Sequence, residues 1–177
     1  MYRIIALVAL TIILGLVNWS IAGKEKHLAE GIPVFLKLAP VDPRSIMQGD
    51  YMALRYLLAN EVFSALPKKE KEYVRWRQKV DAEDGHVVVH LDKRGVGTFK
   101  RLYKGGDLSD GEILMRYRVR NGVVKFATNA FFFQEGQGKT YQTVRYGQFR
   151  VDDNGELLLV AMYDKNLDIL KPNKTNE

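Results

Sequence analysis

The chain of 177 residues contains no cysteine and only three histidines. The absence of cysteine excludes thiol nucleophiles, structural disulfides, cysteine-ligated zinc or iron–sulfur sites and a lipidated-cysteine anchor. His86 and His90 are four residues apart, but the three valines between them indicate a strand, on which they would lie about 13 Å apart. One metal ion does not bridge that distance. The sequence therefore predicts no metal and no cofactor.

Five of the six excess positive charges lie in a single segment. The formal net charge is +6, and residues 68–104 carry eleven basic and six acidic side chains. A basic stretch with aromatics, PKKEKEYVRWRQKV, is also found in nucleic-acid-binding proteins. No nucleic-acid-binding module is present, so no nucleic acid is predicted as a partner. The stretch indicates either a solvated helix face or contact with anionic lipid headgroups or an acidic partner.

One long hydrophobic run is present. Ile4–Ala22 contains no charge, and at 1.5 Å per residue it reaches about 28 Å, close to the hydrocarbon thickness of a bilayer. Arg3 precedes the run, and Trp19 lies near its far end, where an amphipathic ring prefers the interface. Residues 1–23 are predicted to be a retained signal anchor. A signal peptide cleaved after Ala22 and a buried helix of a soluble protein remain as alternatives.

Behind this segment, residues 24–170 are predicted to form one β-rich extracytoplasmic domain, followed by a polar tail at 171–177. Asn121-Gly122 is the favoured two-residue turn of a type I′ hairpin. Strands are predicted at Ile32–Leu38, His86–Leu91, Gly97–Tyr103, Glu112–Arg120, Val123–Phe133, Tyr141–Val151 and Glu156–Tyr163.

Short helices are predicted at residues 60–66, with Asn60 as the N-cap, and at 67–80, beginning with Pro67. The expected fold class is an N-terminal transmembrane helix plus an α+β, β-rich domain. That domain is expected to be an antiparallel sandwich or a partly closed barrel with one or two short helices.

The stretch Pro40–Tyr56 (PVDPRSIMQGDYMALRY) combines turn signals with an alternating strand pattern. Asp42 followed by Pro43 is typical of a helix start, and Gly49 with Asp50 suits the turn that ends it. The alternation that follows predicts a strand with two faces. One face holds Met52, Leu54 and Tyr56, and the other holds Tyr51, Ala53 and Arg55.

The same stretch resembles the bacterial GDYXXLXY family, and PVDPR, EGQGKTY and RYGQFRVDDNGELLL are similar to that family as well. The resemblance implies a single-pass protein of the bacterial inner membrane with a periplasmic domain. It also implies an integral membrane protein as partner, because such proteins are often encoded beside polytopic membrane proteins. It supplies no catalytic residues. The matching motif positions are Gly49, Asp50, Tyr51, Leu54 and Tyr56.

One enzymatic hypothesis stays open. SIMQGDYMAL and FKRLYKGGDLSDGEI are faintly similar to membrane signal peptidases, which implies Ser45 as nucleophile and Lys100 as base, made neutral by burial in an apolar site. The match departs at Ile46, which separates Ser45 from Met47, and a spacer expected before Gly-Asp is missing. The alternative is a solvent-facing serine in a turn and a lysine on a strand surface.

Three arginines are predicted on one face of a single strand: Arg116, Arg118 and Arg120. Such a row suits an anionic ligand or the acidic groups of a partner. More often such a row is a solvated sheet face with cross-strand partners such as Lys125 or Glu135.

Taken together, these patterns predict a membrane-anchored extracytoplasmic binding or accessory protein that is more consistent with a non-enzyme. Its contact or ligand site is expected around the motif residues Asp42, Arg44, Tyr51 and Arg55. The alternatives are a Ser–Lys hydrolase and an anionic-ligand sensor.

Overall fold

The structure, a computed structural model, describes residues 2–39, 51–67 and 82–172 and the backbone of two short strands between the last two ranges. The helices are α1 (Tyr2–Glu30), α2 (Leu57–Ala65) and a 3₁₀ helix (Gly138–Thr143). The strands are β1 (Ile32–Lys37), β2 (Tyr51–Ala53), β3 (Tyr73–Val74), β4 (Arg77–Gln78), β5 (Glu83–Leu91), β6 (Gly97–Leu102), β7 (Glu112–Arg120), β8 (Val123–Lys125), β9 (Ala130–Phe132), β10 (Tyr146–Val151) and β11 (Leu157–Tyr163).

Helix α1 is long and apolar enough to cross a membrane. Its 29 residues extend about 43 Å, and its most apolar window has a mean hydropathy of 2.4 with no part of it buried. A buried core helix, one of the three interpretations of this segment, is therefore wrong for the part of the chain that the structure describes. A signal sequence near the N-terminus has the same length and composition as a membrane span.

The domain is built from two larger antiparallel sheets, one of which curls into a half-barrel. One sheet has the order β1-β10-β11 and the other β6-β5-β7-β8. A parallel bridge between Phe35 and Val96 links β1 to the start of β6, and the Phe35 N–H donates to the Gly95 carbonyl at 2.9 Å. The predicted β-rich fold with a partly closed barrel is confirmed.

The hydrophobic core lies between these sheets and helix α2. In β7 every second residue from Ile113 to Val119 is buried, while the residues between them face outward. Packing is tight at Gly97, where a Cβ would lie 2.8 Å from Val89 Cγ1 of the same sheet and 3.2 Å from Val34 Cγ1 of the other sheet. Glycine at the first position of β6 is thus required by the close approach of two strands.

The strand predictions hold well, and the type I′ turn is confirmed. Asn121 and Gly122 both have positive φ, 53° and 68°, as that turn requires, and Arg120 pairs with Val123 across it. The predicted strand 123–133 is divided into β8 and β9. The predicted strand 141–151 begins only with β10, because the 3₁₀ helix occupies its first residues.

The helix predictions were less accurate. Helix α2 begins at Leu57, with Tyr56 in the N-cap position, so Asn60 is an interior residue and not the cap. The predicted helix 67–80 is wrong in its described part, where β3 and β4 pair antiparallel. Tyr and Val favour strands as much as they support an apolar helix face, so a three-residue spacing of apolar groups misled the prediction.

Candidate functional site

The strand of the GDYMALRY motif has one buried face and one exposed face, as its alternation predicts. Met52, Leu54 and Tyr56 are almost fully buried, whereas Tyr51 and Arg55 are exposed. Only the second set is therefore available for binding. Asp42, Arg44, Ser45, Gly49 and Asp50 lie outside the described residues.

Tyr56 is held in the core by ring packing and by a hydrogen bond. Its ring packs edge-on against Phe126 and Phe149, with ring centroids 6.2 and 5.5 Å away. Its hydroxyl donates to the Thr128 carbonyl at 3.2 Å. Burial raises the pKa of the Tyr56 hydroxyl well above its ordinary value. The last tyrosine of the motif thus joins β10 and the chain between β8 and β9 in one core.

On the exposed face, Tyr51 stands opposite Phe132 of β9. The ring centroids are 5.8 Å apart at an interplanar angle of 40°, and 74% of Phe132 is exposed. Phe131 and Phe133 point the other way and pack on Tyr141. No motif in the sequence marks Phe132, although alternation in a strand places the middle one of three consecutive phenylalanines on the face opposite to the other two.

Two exposed arginines lie further along the same part of the domain. Residue 39 lies between two arginine-bearing segments: the Ala39 N–H donates to the Arg55 carbonyl at 2.7 Å, and the Leu38 N–H donates to the Arg145 carbonyl at 2.9 Å. Arg55 and Arg145 are both exposed, and two strand spacings separate them by about 10 Å. We call the exposed surface of Tyr51, Phe132, Arg55 and Arg145 the motif face.

The three arginines lie on the outer face of β7, where carboxylates neutralise much of their charge. Asp84 accepts from Arg120 at 2.7 Å and from Arg116 at 3.1 Å, and Glu156 is a second partner of Arg116. The hydrogen bond from Arg120, with that from Arg116, holds the pKa of Asp84 below its ordinary value. Arg118 instead pairs in register with Lys125.

A cavity of about 500 Å³ adjoins this row. Its charged lining consists of Arg116 against the three carboxylates of Asp84, Asp153 and Glu156. The balance of charge is negative, which disfavours an anionic ligand. The cavity therefore gives no support to the anionic-ligand hypothesis.

Lys100, the base in the hydrolase hypothesis, is an exposed residue of β6. It lacks the apolar enclosure that such a mechanism requires, which contradicts its assignment as a buried neutral base. His86 and His90 lie on β5, as the strand prediction required. Within the described ranges no three His, Asp or Glu side chains converge as metal ligands.

A second feature is the connection between α1 and β10, which we call the joint. His27 is only 9% exposed, and its Nε2 lies 2.9 Å from the Arg150 carbonyl. Arg150 Nη1 in turn donates to the Gly31 carbonyl at 2.9 Å. His27 Nδ1 lies 4.0 Å from Asp152 Oδ2. The last turn of the apolar helix is thereby fixed to the domain.

These features define a class of protein: a β-rich domain attached to a candidate membrane helix, with an exposed aromatic and basic face on its motif strand. The model of the family described as GDYXXLXY protein matches residues 13–162, and the chain belongs to this family. No curated protein and no solved structure matches the chain. The family resemblance predicted from the motif is confirmed.

Proposed function

We propose that this protein is a membrane-anchored accessory subunit whose extracytoplasmic domain binds an integral membrane protein of the bacterial inner membrane. The observation that carries the proposal is the joint. A domain that is merely tethered needs only a flexible linker, whereas here an uninterrupted helix runs from the apolar segment to Glu30. The joint then holds the domain at a set orientation above the bilayer, and orientation matters most to a protein that docks on a membrane partner.

The motif face is the proposed contact surface. Exposed aromatic and arginine side chains contribute disproportionately to binding energy at protein interfaces. Tyr51 and Phe132 pack on each other here, and Arg55 lies four residues further along the chain. Strand β1 leads away from the joint toward this face and covers about 20 Å. A face about 20 Å from the end of the helix suits the extracytoplasmic loops of a partner.

The test is a mild-detergent pull-down of the full-length protein from native membranes, with intact-mass analysis and identification of stoichiometric partners. We expect a full-length chain with a polytopic membrane protein. We expect Phe132→Ser to lose the partner and Val123→Ser to retain it. Val123 is the matched control because it is also an exposed apolar residue of a short strand, 42% exposed.

Two results would contradict the proposal. A recovered chain beginning at Gly23 with nothing bound would identify a cleaved, free envelope protein. Retention of the partner by Phe132→Ser would move the contact away from the motif face.

A further inference from the structure

The apolar helix carries two polar side chains on the same side. Thr11 and Asn18 are seven residues apart, with Gly15 between them and Ala22 one turn beyond. At about 100° per residue these four positions fall within an arc of about 60°. Elsewhere in the segment Ile4–Ala22 only Trp19 and Ser20 are not aliphatic, and both lie near its end. We call the side of Thr11, Gly15, Asn18 and Ala22 the Asn18 face.

The hydrogen-bonding capacity of Asn18 is only partly used within its own helix. One amide N–H donates to the Leu14 carbonyl at 2.9 Å, and the Thr11 hydroxyl donates to the Leu7 carbonyl at 2.9 Å. An asparagine side chain has two N–H donors and one carbonyl acceptor. One donor and the carbonyl of Asn18 therefore have no partner in the described chain.

The unpaired groups of Asn18 would lie within the hydrocarbon core of the bilayer. It lies about 7 Å from the middle of the segment Ile4–Ala22, which is inside a hydrocarbon core of about 15 Å half-thickness. Water is not available there, and a polar side chain in a span gains by hydrogen bonding to another helix. The unpaired amide calls for a partner that offers both a donor and an acceptor at the same depth.

We propose that α1 pairs in parallel with α1 of a second copy of this chain, with the two Asn18 amides hydrogen-bonded to each other. A two-fold axis along the bilayer normal places both amides at one depth, and an amide complements itself. Gly15 lies on the same side, and because glycine has no side chain a second helix can approach the backbone closely there. The inference rests on the membrane-spanning part of the proposed function.

The absence of native cysteine makes the test direct. Ala22→Cys places a thiol on the Asn18 face, and Ser20→Cys places one at a similar depth on the opposite side. Full-length variants in native membranes are oxidised with copper phenanthroline and separated on non-reducing gels. We expect a disulfide dimer from Ala22→Cys and little from Ser20→Cys. Adding Asn18→Leu to Ala22→Cys should reduce dimer association about 3- to 30-fold, the effect of one interhelical hydrogen bond.

Equal cross-linking of the two cysteine variants would mean random collision and would overturn the pairing. Cross-linking of Ala22→Cys only to a different protein would assign the Asn18 face to another helix and would also overturn it. Carbonate extraction separates this inference from the proposed function. A chain retained in the membrane without dimer overturns the pairing alone, whereas a chain released from the membrane overturns both.

Discussion

Replacing Gly31 by alanine should detach the domain from the helix without unfolding the domain. A Cβ at residue 31 would lie 2.6 Å from the His27 carbonyl oxygen and 3.0 Å from Arg150 Cβ. The oxygen belongs to the helix backbone and already accepts the Gly31 N–H at 3.0 Å, so it cannot move aside as a flexible side chain would. The joint must open instead.

Opening the joint loses two hydrogen bonds, from His27 to the Arg150 carbonyl and from Arg150 to the Gly31 carbonyl. Each contributes about 1 kcal/mol. A loss of about 2 kcal/mol shifts the equilibrium toward the undocked helix about 30-fold. Hydrogen–deuterium exchange of the full-length protein in detergent measures this, because peptides covering residues 23–33 should exchange correspondingly faster.

Gly23→Ala is the matched control. Gly23 lies in the same helix, and a Cβ there meets nothing within 4 Å, so alanine should stabilise the helix by about 1 kcal/mol. The two substitutions are therefore expected to have opposite effects on exchange. Unchanged exchange in Gly31→Ala, or equal loosening in both variants, would refute close packing at residue 31 as the cause of the fixed joint.

Three further changes test individual contacts. Tyr56→Phe should lower the free energy of unfolding in urea by about 1 kcal/mol, because it removes the hydrogen bond to Thr128; no change would mean that bond contributes nothing. Leu167 has a φ of 67°, so Leu167→Gly should stabilise the fold by about 1 kcal/mol, and a lower Tm would contradict this. Asp84 has a lowered pKa, so its contribution is present above the ordinary carboxyl pKa of about 4 and is lost as pH falls below it. Asp84→Asn should flatten acid unfolding there, and an unchanged pH profile would count against the interaction.

Local patterns predicted most of the fold. The hairpin at Asn121-Gly122 and the alternating burial of the motif strand follow from turn chemistry and from the period of a strand, both of which are local. Secondary structure was harder to predict where one segment fits both a helical and a strand pattern. At residues 67–80 the apolar spacing fits a helix, yet the pairing of Tyr73–Val74 with Arg77–Gln78 is decided by strand preferences that the spacing does not reveal.

The candidate sites depend more on contacts between distant residues. His27 contacts the carbonyl of Arg150, which is 123 positions away in the chain. The residues around His27 show no periodic pattern that would predict this contact. The carboxylates that neutralise the arginine row come from β5 and from the turn before β11. A row of like charge can be read from one strand, but its compensation requires the sheet order.

The motif itself now divides into two physical roles. Leu54 and Tyr56 are core residues. Packing and one buried hydrogen bond account for their place in the motif. Tyr51 belongs to the same pattern but is 37% exposed, beside a phenylalanine that is more exposed still. Packing does not account for a large aromatic on the outer side of a three-residue strand. Among the described motif positions, Tyr51 is therefore the one that core packing explains least.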